Sequence, residues 1–211
     1  MMLKRRQIER MIAQIELQFP LDDNIKKAFL SVDREVFVPQ VFKHLAYQLD
    51  ALPLSDNQWI SSPVTVAKMS QHLEMKGVDS VLEIGCGSGY QAAILSKMCR
   101  RVFTIERIGE LLRDAKRRFS ELEIHNIFTR FEDGQLGWKE YAPYDRILFS
   151  ATASKIPDVI FDQLAEDGIL VAPVQEGTLQ ILTRYYKRNG KISSEAIEPC
   201  LFVPVLDGRQ K

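Results

Sequence analysis

Cysteine is scarce in this chain of 211 residues: Cys86, Cys99 and Cys200 form no CxxC pair and have no histidine at metal-ligand spacing. Neither a disulfide framework nor a metal site is signalled by so sparse a set. An excess of charge of one sign is also missing, since Lys plus Arg number 28 and Asp plus Glu number 28. That balance excludes wholesale electrostatic capture of nucleic acid or of an anionic membrane, and it leaves recognition to a shaped site. No apolar run approaches the ~20 residues of a membrane span. The N-terminal stretch begins with Lys4, Arg5 and Arg6 and then alternates charged with apolar residues, unlike a secretory signal. With 45% hydrophobic and 27% charged residues, the composition is that of a globular protein with one sizeable core. The expectation is a cytoplasmic protein, neither exported nor membrane-inserted, that acts as a monomer and has no nucleic-acid partner.

Two textures divide the chain. From Arg5 to Leu17, Ile8, Met11, Ile12 and Ile15 recur at steps of three and four, the stripe of an amphipathic helix closed by Pro20. A second helix is expected over Asp23–Val32 and a third through Val66, Met69 and Leu73, after an irregular stretch from Leu52 to Pro63. From Ser80 onward, short apolar strands alternate with helical patterns, which signals a parallel sheet with crossover helices. Strands are predicted at Val81–Ile84, Val102–Ile105, Ile127–Thr129, Arg146–Phe149, Ile169–Ala172, Gln180–Tyr186 and Leu201–Val205. Helices are predicted at Gln91–Met98, Ile108–Phe119 and Pro157–Leu164, and Asn189-Gly190 supplies a hairpin turn. This is one α/β structural domain, read as an N-terminal helical and substrate-loop segment over residues 1–76 packed on a core over residues 77–211. The basic run Lys116-Arg117-Arg118, with Arg113, reads as the solvated face of a helix.

The most specific local signal is Glu83-Ile84-Gly85-Cys86-Gly87-Ser88-Gly89-Tyr90, an apolar strand running into a GxGxG loop and a helix. Glycines there allow a sharp turn and close approach of a ligand to the backbone. A dinucleotide fingerprint would place its third glycine at position 90, where this chain has tyrosine. The spacing, with Glu83 before the first glycine, suits a nucleoside lying across the strand ends. Glu106 follows the second strand about 20 residues on, where a carboxylate can accept from both ribose hydroxyls. Asp133-Gly134 follows the third strand, where Asp133 can accept from an adenine amino group and Gly134 lets the backbone approach the ring.

An ordered series of further segments resembles one family, the protein-L-isoaspartate O-methyltransferases. It comprises Arg34-Glu35-Val36-Phe37-Val38-Pro39, Ala46-Tyr47, Ala51-Leu52-Pro53-Leu54, Gln58 with Ile60-Ser61, and Val81 to Ala93. It continues with Thr104-Ile105-Glu106-Arg107-Ile108, Asp133-Gly134, Gly137-Trp138, Ala142-Pro143-Tyr144-Asp145 and Phe202-Val203-Pro204. The resemblance implies a Rossmann-like, seven-stranded methyltransferase sheet, mostly parallel with an antiparallel C-terminal strand. It implies helices on both faces, an N-terminal helical segment, and a C-terminal segment closing over the substrate. S-adenosyl-L-methionine is then the expected cofactor, with S-adenosyl-L-homocysteine as product. Glu83, Gly85, Cys86, Gly87, Ser88, Gly89, Glu106, Arg107, Asp133 and Gly134 are the residues expected to hold it. Ser61 matches the active-site serine, with Gln58, Trp59, Ile60 and Ser62 expected on the substrate; the rival reading of Ser61-Ser62-Pro63 is a cap for the helix from Val64 to Leu73, and the sequence allows both roles through different serines. The implied activity is methyl esterification of L-isoaspartyl and D-aspartyl carboxyl groups in damaged polypeptides, which initiates their repair.

The departures from the family pattern gather on the acceptor side. Ser55 and Asn57 stand where the loop usually has glycines, Trp59 where it has threonine, and Leu49 and Val64 where polar or aromatic residues are general. Two readings follow: an isoaspartyl methyltransferase with a rebuilt acceptor groove, or a relative that binds the same cofactor and either acts on another acceptor or only recognises damaged protein.

Overall fold

The computed structural model describes residues 2–210. Three helices open it, α1 (Met2–Glu16), α2 (Asp23–Leu30) and α3 (Pro63–His72), with a small hairpin of β1 (Leu52–Pro53) and β2 (Trp59–Ile60) between the last two. The stripe read from the sequence is the buried face of α1: Ile8, Met11, Ile12 and Ile15 are all within the core. None of these helices is long and apolar enough to cross a membrane.

The rest of the chain forms β3 (Ser80–Ile84), α4 (Tyr90–Leu95), β4 (Arg101–Glu106), α5 (Gly109–Glu121), β5 (Ile127–Phe131), β6 (Tyr144–Phe149) and α6 (Asp158–Asp162), then β7 (Leu164–Glu176), β8 (Leu179–Arg188) and β9 (Lys191–Cys200). The seven strands β3–β9 make one sheet in the order β5-β4-β3-β6-β7-β8-β9. Pairings from β5 across to β7 are parallel, and β7–β8 and β8–β9 are antiparallel.

The near-continuous apolar strands follow from burial on both faces. Because side chains alternate across a strand, Val81, Val102, Leu148 and Val171 enter the core shared with α1–α5. Their neighbours Leu82, Phe103, Ile147 and Leu170 enter a second core with Ile160 of α6 and Trp138. Strand order reverses at β3, since β4 and β5 extend one way and β6 is laid on the other side. Open α/β sheets bind ligands in the crevice at the carboxyl ends of the strands at such a point.

Two expectations are corrected. The last strand is Lys191–Cys200, and Leu201–Val205 is not a strand, although Pro204 makes an isolated parallel bridge to Thr152. A mostly exposed edge strand has one paired side and little burial, so Lys191–Cys200 carries no apolar signal. The apolar run after it is apolar because it walls a cleft. Second, Arg118 is buried and not solvated: its guanidinium donates to the Ser88 carbonyl at 3.1 Å, behind the glycine loop. Helical spacing puts Arg118 on the inward side of α5 beside Ala115 and Phe119, while Arg117 faces out and pairs with Asp114.

Candidate active site

At the carboxyl ends of β3, β4 and β6 lies an open cleft. The glycine loop forms its floor. Gly85, Gly87 and Gly89 all have positive φ, at 96°, 53° and 88°. At Gly89 a Cβ would lie 2.7 Å from the Phe119 ring, so glycine is required for α5 to pack against the loop. At Gly87 a Cβ would meet nothing within 4 Å, so its absence leaves backbone open to a ligand. Cys86 and Ser88 also line the cleft, whereas Gly89 serves as the N-cap of α4 behind it. The Cys86 thiol is buried and its pKa is pushed up by desolvation, so it is a packing group and not a nucleophile.

Glu106 ends β4 at the cleft wall, 5% exposed. Its Oε2 accepts from Gly87 N–H at 2.8 Å and its Oε1 from Ile108 N–H at 2.9 Å. Two backbone donors fix the carboxylate, and each oxygen keeps a further lone pair for a diol. Burial raises the Glu106 pKa, opposed by these backbone hydrogen bonds.

Glu83, on β3, is fully buried, accepting from the Thr104 hydroxyl at 2.6 Å and the Ser150 hydroxyl at 3.2 Å. Desolvation pushes its pKa from 4.5 up to about 8 despite those bonds. A carboxyl whose folded-state pKa is raised contributes stability that is full below its unfolded pKa and is lost as pH rises through the folded one. Between about pH 5 and 8 the folded state retains a proton that the unfolded state has released, so stability should fall as pH rises. Denaturant midpoints measured across that range should show the slope, and Glu83→Gln should flatten it; an unchanged slope in the variant would place the titrating group elsewhere.

The acceptor-side loop forms the opposite wall. The β1–β2 hairpin turns through Asp56 and Asn57, both at φ 55°, the left-handed geometry of a two-residue turn that asparagine and aspartate tolerate. Gln58, Trp59, Ile60 and Ser61 all line the cleft; Ile60 is buried and Trp59 is 53% exposed at the mouth. The Ser61 hydroxyl makes no hydrogen bond to protein among the described residues, while the Ser61 carbonyl accepts from Arg34 at 3.1 Å. Ser62 lies outside this cleft: its Oγ accepts from Thr65 N–H at 3.1 Å as the N-cap of α3. The two serines thus separate into a cleft residue and a cap. A second, open depression lies beyond Ser62, bounded by Leu49, Val64, Leu201 and Phe202 and by the Lys68–Glu198 ion pair at 2.7 Å.

Other predicted residues are placed differently from Glu106. Arg107 lines the cleft, but its guanidinium donates to the Gly208 carbonyl at 3.0 Å. Gly134 lines the cleft and Asp133 does not; the Asp133 carboxylate accepts from Gln135 N–H at 3.0 Å and Gly208 N–H at 2.8 Å. The C-terminal stretch is the wall that strand-reading missed. Val203 to Leu206 line the cleft, held by Thr152 N–H to the Val203 carbonyl and Val205 N–H to the Thr152 carbonyl, both 2.8 Å. Ser150 and Ala151, beyond β6, complete it. The resemblance marks Phe202-Val203-Pro204 and implies a closing C-terminal segment, but no strand or loop pattern places these residues, because only the return of the chain across the strand ends brings them there.

Comparison with known proteins agrees with this geometry. Residues 6–210 match the family model of the protein-L-isoaspartate(D-aspartate) O-methyltransferases. A Helicobacter pylori (strain G27) protein-L-isoaspartate O-methyltransferase is 54% identical over 201 residues, covering 95% of this chain and 96% of that protein. A solved protein-L-isoaspartate O-methyltransferase superposes with a TM-score of 0.85 at 25% identity, over 95% of this chain and 66% of that longer one. A Plasmodium falciparum structure solved with S-adenosyl-L-homocysteine shares the fold, with a TM-score of 0.82 at 23% identity, over 96% of this chain and 98% of that one. With its full length matched and its strand ends assembled into such a cleft, this chain belongs to the protein-L-isoaspartate(D-aspartate) O-methyltransferase family.

Proposed function

We propose that this enzyme methyl-esterifies the free carboxylate of L-isoaspartyl and D-aspartyl residues in damaged polypeptides, with S-adenosyl-L-methionine as methyl donor. The observation that carries this reading is that one cleft is lined both by the glycine loop with Glu106 and by Ser61. The residues present fit the donor: Gly87 offers open backbone, and Glu106 offers two anchored oxygens to a ribose diol. Gly134 lines the cleft where its missing Cβ makes room for Ile84, while Asp133 stands outside the lining and holds Gln135 and Gly208. Glu83 lines the cleft beneath the glycine loop, its carboxyl held by the Thr104 and Ser150 hydroxyls. Residues 77–211 are read as the donor-binding core and residues 1–76 as the acceptor cover. We also read the enzyme as a cytoplasmic monomer; its three free cysteines suit a reducing compartment.

When bound, S-adenosyl-L-methionine supplies a methyl carbon whose bond to sulfur breaks, the electron pair leaving on sulfur, as the ester O–C bond forms. An isoaspartyl carboxylate has a reference pKa near ~4, so it arrives ionised and needs no general base. The chain's task is alignment and exclusion of water. Ser61 orients the carboxylate by donating its hydroxyl proton in a hydrogen bond, without adding a competing charge. Trp59 and Leu206 at the mouth, with Ile60 behind, keep the reacting oxygen in apolar surroundings.

Purified enzyme should transfer labelled methyl groups to an isoaspartyl peptide and not to its aspartyl twin. Equal or absent labelling of the two, with cofactor binding intact, would transfer the assignment to a different acceptor. The altered positions Trp59, Leu49 and Val64 favour testing that outcome, since Trp59 lines the cleft and the other two line the second depression.

A further inference from the structure

Arg34 has no exposed surface, and in a protein whose interior is otherwise apolar at this place a buried guanidinium requires a reason. Removing a charge from water costs several kcal/mol unless hydrogen bonds replace hydration. All four terminal N–H donors are used. Nη1 donates to the carbonyls of Ala46 at 2.8 Å and Gln48 at 3.2 Å, and Nη2 to those of Asp50 at 2.9 Å and Ser61 at 3.1 Å. Its Nε has no hydrogen-bond partner, and Asp50 lies near enough to favour its charge, so the four carbonyls are the groups its fork holds directly. The backbone around it is itself pinned, because Asp33 Oδ1 accepts from Glu35 N–H at 3.0 Å and from the Tyr47 hydroxyl at 2.7 Å.

The four carbonyls are not an arbitrary set. Gln48 and Asp50 flank Leu49, which walls the second depression, and Ser61 belongs to the donor cleft. On its other side the guanidinium lies 5.8 Å from the centroid of the Tyr90 ring, and Tyr90 also lines that cleft. One cation thus ties together, from behind, the segment at 46–50, the serine at 61 and the start of α4. Burial places it where solvent screens its charge poorly.

We propose that Arg34 is the positioning residue of the acceptor site: its fork sets Ser61 and the wall at Leu49 in register with the donor cleft. The proposal rests on the isoaspartyl reading, and it turns on the geometry of the fork. A lysine at this position retains the cation but gathers its three donors on one atom, so it cannot span four carbonyls. A methionine retains bulk and loses both.

The test compares the intact enzyme with Arg34→Lys and Arg34→Met, counting active molecules by S-adenosyl-L-homocysteine binding. The homocysteine product should bind both variants within about twofold of the parent, because Arg34 makes no hydrogen bond to the glycine loop or to Glu106. Arg34→Lys should lower kcat on an isoaspartyl peptide by about ten- to a hundredfold through misplacement of Ser61, with peptide KM within about threefold. Arg34→Met should lower kcat at least as far, since none of the four carbonyls keeps a donor, with peptide KM again within about threefold. Peptide kcat and KM near parental values per active molecule would reduce Arg34 to a structural strut, and so would homocysteine affinity falling in step with activity. Amide exchange in the unsubstituted protein supplies a readout that needs neither variant folding nor turnover. Protected amides in 46–52 and 59–62 should open with a common free energy, and widely different protection in the two segments would overturn the coupling. If the parent methylates no isoaspartyl peptide, the functional reading fails by itself, and the exchange result still decides the clamp.

Discussion

Glu106→Ala should weaken S-adenosyl-L-methionine binding by about 1.5–3 kcal/mol, roughly one to two orders of magnitude in Kd. The size follows from three losses at one side chain. The ribose loses charge-assisted hydrogen bonds, Gly87 loses its 2.8 Å acceptor, and Ile108 loses its 2.9 Å acceptor. The last two mean that the glycine loop and the start of α5 also lose their fixed spacing. Titration calorimetry with donor and product measures the effect directly. Glu106→Gln separates the contributions, since the amide retains one acceptor oxygen and no charge, and should fall between parent and alanine. Donor affinity in Glu106→Ala within about twofold of the parent would remove the ribose assignment, because even one lost charged hydrogen bond exceeds that.

Ser61→Ala should act on the other quantity. With the hydroxyl absent, the acceptor carboxylate is no longer held in line with methyl carbon and sulfur, and kcat should fall about ten- to a hundredfold. Donor affinity should remain within about twofold, because the glycine loop and Glu106 contact neither the Ser61 hydroxyl nor its carbonyl. Single-turnover methylation of an isoaspartyl peptide separates this loss from product release. A large fall in donor affinity with kcat preserved would place Ser61 in donor binding instead. Stability should change little, since the hydroxyl has no protein partner among the described residues and the neighbouring cap belongs to Ser62.

Much of the site was legible because it is local. The GxGxG loop, Glu106 and Asp133-Gly134 each follow a strand directly, so strand patterning together with residue type places them at the same sheet edge. The helical stripe of α1 was legible for the same reason, since a period of 3.6 is a property of consecutive residues. Arg118 shows where this stops. A run of three basic residues reads as solvated, yet helix geometry turns one of them inward to a carbonyl of the glycine loop. Leu201–Val205 shows it again, since an apolar run signals burial without saying whether a sheet or a ligand cleft provides it.

By itself, the sequence determined the α/β alternation, the glycine loop that opens the donor site, the carboxylate at the end of β4 and the family resemblance that later comparison established. Those features reside in short segments whose conformation is set by neighbouring residues. Tertiary structure alone decided that Ser62 caps α3 outside the cleft, which contacts hold Val203 to Leu206 over it, and that Arg34 clamps segments up to 27 residues away in the chain. The physical reason is that a buried charge or a cleft wall is satisfied by whatever groups the folded chain brings within about 3 Å, and sequence separation carries no information about that distance.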